Sequence, residues 1–189
     1  GFSENNRGVI IGYKLRFVDD NSIANTKFTG DYTSRSVISY TGITHVSLKV
    51  TALNGSQKET GNMELYGNVY YVKGSKDSID KQTLWQHSDG SGNTFDFKGL
   101  TSYNGSEKTY DFYSGTDQLT ISLNGLREND GASGDDSLDD QDFTKMVSEI
   151  EEISKSPAKS FDVRTNFKNS SSEYVIFTIT PTVTFTFNK

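Results

Sequence analysis

The chain predicts a mainly β protein, an antiparallel β-sandwich of about 8–10 strands with one amphipathic helix near residues 138–154. Three observations carry this. Several runs alternate apolar and polar residues with the period of a half-buried strand. Turn dipeptides such as Asn54-Gly55, Asp89-Gly90, Asn104-Gly105 and Ser114-Gly115 recur between them. A single later segment switches to three- and four-residue spacing, which is helical. The 189 residues suit one domain, 1–189, with the helix inserted before the last two or three strands.

In order, Ile11, Tyr13, Leu15 and Phe17 mark a strand over 8–18, and residues 36–40 predict a short one. From Ile43 to Leu53, Val46, Leu48, Val50 and Ala52 alternate against His45, Ser47, Lys49 and Thr51. Asn54-Gly55 should close that strand as a tight hairpin. Met63 to Val72 turns Met63, Leu65, Val69 and Tyr71 to one face and Glu64, Tyr66, Asn68 and Tyr70 to the other. Gly67 in its middle predicts a bulge or the close approach of another backbone.

Shorter strands follow at 83–87, 93–97, 109–113 and 118–123. Phe143, Met146, Val147, Ile150 and Ile153 then form the helical stripe, with Ser137 as the expected N-cap and Asp139, Asp140 and Asp142 in the first turns. Ser156-Pro157 ends it. Strands at 161–167, 173–180 and 182–187 finish the chain. The penultimate one is apolar on both faces and therefore central, and Pro181 requires a bend, a bulge or an edge.

Composition narrows the function. The formal charge is −6, from 25 acids against 19 bases. Seven of those acids lie between Arg127 and Lys145, and without them 19 bases face 18 acids, so the acidity is local. No basic run exceeds two residues, which argues against nucleic acid as a partner. No transmembrane segment and no signal peptide are read, and Gly1 at the start suits a processed or trimmed chain. The absence of Cys excludes disulfides and thiolate metal sites. A chain rich in Asn, Ser, Thr and Tyr fits a secreted or cell-surface protein of a bacterium.

The acids suggest calcium, the one cofactor the sequence leaves room for, because that ion takes six to eight hard oxygens that Asp, Asn and Gly loops supply. No register satisfies the EF-hand spacing. The predicted ligands are Glu128, Asp130, Asp135 and Asp136 on one loop, joined from elsewhere by Asp77 and Asp80 or by Asp19 and Asp20. The alternative is a solvated loop leading into a well-charged helix start.

The order Glu64-Leu65-Tyr66-Gly67, Leu84-Trp85, then Leu119 to Leu123 running into Glu128-Asn129-Asp130 and Asp135-Asp136, resembles C2-like calcium-binding β-sandwich domains of secreted bacterial proteins, some attached to cytolysins. The resemblance covers roughly residues 43–140. It implies calcium on carboxylates clustered at one end of the sandwich, here Asp130, Asp135 and Asp136, and a loop end that meets a membrane surface.

Trp85, His87, Tyr66, Tyr70 and Tyr103 are the predicted ligand-binding residues, since flat aromatics stack on sugars and anchor interfaces while His supplies directed hydrogen bonds. The other reading of Trp85 is a core aromatic. No G-x-S-x-G, H-E-x-x-H, P-loop or Rossmann motif is present, and sequons at Asn54, Asn104 and Asn169 matter only in a eukaryotic secretory route. The leading reading is an exported, non-enzymatic binding module, a toxin or adhesin component contacting a cell-surface glycan, protein or membrane. The rival is a structural subunit of a surface assembly, a homo-oligomer formed by pairing of the strands at 161–187. A carboxylate-based hydrolase comes third.

Overall fold

A computed structural model of the chain describes residues 42–75, 78–129 and 134–187. The strands expected at 8–18 and 36–40, and Asp19, Asp20, Asp77 and Asp130, lie outside the described residues. Gly42–Thr186 form one compact unit. Its elements are β1 (Gly42–Ser56), β2 (Met63–Lys73), β3 (Lys81–His87), β4 (Phe95–Phe97), β5 (Thr101–Ser102), β6 (Lys108–Phe112), β7 (Gln118–Glu128), β8 (Asp136–Ser137), β9 (Gln141–Met146), α1 (Val147–Lys155), β10 (Phe161–Asn166) and β11 (Tyr174–Phe187).

Two antiparallel sheets make the predicted sandwich. The first runs β10-β11-β1-β5, with β6 also on β1, and the second runs β3-β2-β7-β8, with β4 on β2 and β9 on β7. The alternating inward residues meet between them: Val46, Leu48 and Val50 on β1, Leu65, Val69 and Tyr71 on β2, Ile121 and Leu123 on β7, and Val175, Phe177 and Ile179 on β11 are all buried. Tyr71 reaches across to donate its hydroxyl to the Val46 carbonyl at 3.1 Å. β11 lies between β10 and β1, as its two apolar faces require. Its ladder with β10 ends at Ile179, two residues before Pro181, which has no N–H to offer.

Gly67 is both a bulge and a contact. Its φ is +119°, and β7 changes register there, with Tyr66 opposite Arg127 but Asn68 opposite Asn124. A Cβ on Gly67 would lie 2.6 Å from the Gly125 carbonyl oxygen.

Three local expectations are corrected. β1 continues through Asn54-Gly55 to Ser56, so the turn falls later; Gly55 serves instead to admit the Met63 and Phe97 side chains, which a Cβ would meet at 2.9 and 3.0 Å. The helix begins only at Val147. Gln141–Met146 pairs with β7 from Leu123↔Gln141 to Gln118↔Met146, so an available sheet edge overrides a helical stripe. Ser137 is therefore no N-cap. It sits in β8 opposite Arg127, and the first helical N–H groups go to the β6–β7 turn, Val147 to Asp117 O and Ser148 to Gly115 O. Glu149 closes the cap by accepting the Met146 N–H at 2.7 Å.

The sheet edges are covered from within. Gln82 Nε2 donates to the Thr109 carbonyl at 2.7 Å and Lys73 Nζ to the Asp111 carbonyl, which occupies acceptors on β6. On the far side, Ser137–Asp139 lie along the end of β10: Asp139 N donates to Asn166 O and Lys168 N to Ser137 O. No helix among the described residues is long and apolar enough to cross a membrane.

Gly67→Ala is expected to lose about 2 kcal/mol or more, combining positive-φ strain with the clash on Gly125. Gly74→Ala, also at positive φ but with open space around it, should lose only about 1 kcal/mol. Urea denaturation of both variants checks the difference, and equal losses would remove the backbone contact from the account.

Candidate functional site

Acidic residues and a cleft meet at one end of the second sheet, where β2 begins and β7 ends. The cleft, of about 630 Å³, lies between the 57–62 turn, Glu64 on β2, and Glu128 and Asn129 at the end of β7. Its lining is polar throughout, with carboxylates from Glu59, Glu64 and Glu128. The turn is pinned from one side: Lys58 N–H donates to Glu173 Oε1 at 2.8 Å, and Lys58 Nζ lies 3.0 Å from Oε2. The Ser170 hydroxyl, and then these two Lys58 contacts, hold the Glu173 carboxyl below its ordinary range. Lys58, which lines this cleft, is thus engaged with Glu173.

Glu128 is 5% exposed and turns inward because the bulge at Gly67 carries it to the position opposite Leu65. One of its oxygens accepts the Glu64 N–H at 3.3 Å. Asn129 N in turn donates to Glu64 O at 3.0 Å, and Asn129 Nδ2 donates to Asp89 Oδ1 at 3.1 Å. The β2 and β7 ends are therefore stitched together by the residues that line the cleft.

Tyr66 is the one predicted aromatic that joins this corner. It is half-buried, and its hydroxyl donates to Asp135 Oδ2. Burial first, then the Asp135 hydrogen bond and the charges of Asp135 and Asp89, push its phenol up to about 12 against the opposing pull of Arg127. Asp136 is exposed, in β8 opposite Glu128.

The other predicted residues stand elsewhere. Asp80 falls at the far end of β2, beyond Lys73. Lys73 pairs with Leu119 and Leu65 with Glu128, so about 26 Å of strand separates the two ends and Asp80 cannot share an ion with Glu128. Its backbone carbonyl accepts the Tyr110 hydroxyl at 2.9 Å. Among the described residues, no three His, Cys, Asp or Glu side chains converge as a metal site would.

Trp85 is 1% exposed and belongs to the core, against the reading of it as a sugar platform. The pairing slips between Val69↔Trp85 and Tyr70↔Thr83, which turns both Leu84 and Trp85 inward, and the indole meets Phe177 of the opposite sheet at 5.3 Å. His87 leans on Trp85 and Phe95, with centroids 4.9 and 5.5 Å away, and its Nδ1–H donates to Asn93 O at 2.9 Å. Tyr103 packs edge-on against Phe95 at 5.2 Å, and burial raises its phenol pKa. Tyr70 lies under Lys81 Nζ at 5.5 Å. No exposed aromatic platform forms from these five.

The 57–62 turn, Glu64 and Asn129 escaped the sequence reading as site residues. The Asn129-Asp130 context was visible, but Lys58 and Glu173 are 115 residues apart and leave no spacing to read.

Tyr66→Phe is expected to cost about 1 kcal/mol by removing the Asp135 bond. The folded phenol titrates near 12, above its ordinary 10.0. Its contribution is therefore complete below pH 10 and lost as the pH rises toward 12. Tyr110, whose phenol burial and the Asp80 contact also push up to about 12, acts in the same direction. Melting temperatures between pH 9 and 12 should fall less steeply in Tyr66→Phe than in the parent, and parallel curves would dissociate Tyr66 from alkaline unfolding.

The chain matches no protein-family model and no curated protein. Among solved structures it is similar to a chain of the Cry23Aa1–Cry37Aa1 binary protein complex, with 18% sequence identity, a TM-score of 0.44, and coverage of 75% of this chain and 98% of that one.

Proposed function

We propose that the chain is an exported binding module, a component of a bacterial toxin or adhesin, that offers the cleft at the Met63 end of the second sheet to a cell-surface ligand bearing hydroxyl or cationic groups. The observation that carries this reading is the cleft itself: about 630 Å³, lined by the 57–62 turn, Glu64, Glu128 and Asn129, with its one lysine committed to Glu173. Carboxylates and amides of this kind accept and donate hydrogen bonds to sugar hydroxyls and attract ammonium or guanidinium groups. The site is polar and open, and recognition there rests on directed bonds rather than on aromatic stacking. A glycan fits it better than an apolar lipid surface does.

Labelled protein applied to a glycan array and to intact cells tests this. Glu64→Gln combined with Asn129→Ala should weaken binding about tenfold, the loss of one or two hydrogen bonds to charged or polar partners, in a protein that still unfolds cooperatively. Undiminished binding by that variant, or no binding by the parent to either support, would refute the reading.

As a second reading, we propose calcium for the same corner, because Asp and Asn loops supply the hard oxygens that ion takes. Asp135 uses Oδ2 on Tyr66 and retains a second oxygen, and Asp136 is paired with Glu128 in the β7–β8 ladder. In this reading the ion binds the carboxylates of Asp135 and Asp136, as the resemblance to C2-like domains implies. The melting temperature should then rise in millimolar calcium and not in Asp135→Asn; an identical melt with calcium or chelator excludes the ion.

A further inference from the structure

The outer face of the first sheet holds a hydrogen-bonded row that the cleft does not use. His45 on β1 stands directly across the ladder from Asp111 on β6, and its Nδ1 lies 2.6 Å from Asp111 Oδ1. A carboxylate only accepts, so Nδ1 carries the proton and donates it. In the neutral ring that leaves Nε2 as an acceptor. Nε2 lies 2.8 Å from Thr186 Oγ1 on β11, and the hydroxyl donates to it. Hydroxyl, imidazole and carboxylate thus follow one another in the order that activates a nucleophile: a base in reach of the hydroxyl proton, and a third group that fixes the tautomer and aim of the base.

The row is accessible. The His45 and Asp111 side chains are 30% and 50% exposed, and Thr186 is exposed, so an acyl donor reaches the hydroxyl without movement of the chain. The same strand supplies its own comparison. Thr182 and Thr184 share the outward face with Thr186 and are also exposed, but neither has an imidazole hydrogen-bonded to it.

We propose that Thr186 is a general-base-activated acyl acceptor that takes acyl groups from small activated esters, with His45 as the base and Asp111 as a positioning residue. As Thr186 Oγ1 bonds to the carbonyl carbon of the ester, His45 Nε2 takes the hydroxyl proton and the carbonyl π pair moves to its oxygen. When that pair returns, the bond to the leaving oxygen breaks, and Nε2–H protonates the departing group. The products are an ester on Thr186 and a free alcohol, with nothing oxidised or reduced.

The test treats the full folded chain with p-nitrophenyl acetate and maps the acetyl groups by peptide mass. Thr186 should be labelled roughly tenfold more than Thr182 and Thr184, a modest share of what a positioned base gives in an enclosed site. His45→Gln should abolish the preference and Asp111→Asn should diminish it. Equal labelling of the three threonines, a preference that survives His45→Gln, or acetyl retained on His45 would overturn the proposal. Thr186→Val keeps the β-branched shape of the side chain and should remove the rapid initial release of p-nitrophenolate even if a His45 variant folds badly; unchanged release would also overturn it.

Discussion

The backbone of β2 touches that of β7 at Gly67, and the geometry of the whole Met63 end follows from that contact. Only a residue without Cβ, held at positive φ, lets the Gly125 carbonyl approach so closely. The two residues of β7 that stand opposite the single Gly67 are the local expression of this, since a bulge both bends a strand and re-aims the side chains beyond it. Leu126 and Glu128 are buried as a result, and the carboxylate at the floor of the cleft owes its place to a glycine on another strand.

The seams of the sandwich obey a related economy. Antiparallel sheets leave two unpaired edges each, and proteins must cover them or risk pairing with strangers. Here long polar side chains from one sheet satisfy carbonyls on the edge of the other, Gln82 and Lys73 on β6, while a short segment around Leu138 bridges to Phe167 on the opposite seam. The two sheets are joined by hydrogen bonds at their margins as well as by apolar contact at their centre.

Much of the fold was legible because alternation is a local signal. The inward face of β2 is the one the sequence named, and Gly67 announced itself as a glycine in the middle of an otherwise regular strand. The helix was misplaced because Phe143 and Met146 satisfy the three- and four-residue spacing by chance of position, while the edge of β7 that captures them is invisible from local pattern. Leu84 and Trp85, neighbours in the sequence, both face inward for a similar reason: a bulge in the pairing, not the sequence of either strand, turns them there. The site was read only in its acidic half. Tyr66 and Asp135 do meet, but which turn walls the cleft depends on Glu173, and the row of His45, Asp111 and Thr186 joins strands far apart in the chain.

Trp85 has a further consequence, optical rather than structural. It is the single tryptophan in the chain, it is enclosed by apolar rings, and its closest aromatic partner across the interior, Phe177, belongs to the opposite sheet. Its emission therefore reports on whether the two sheets are together. The cleft and the His45 row both lie apart from it, so the protein carries a built-in gauge of its own cohesion that stays blind to what either surface is doing.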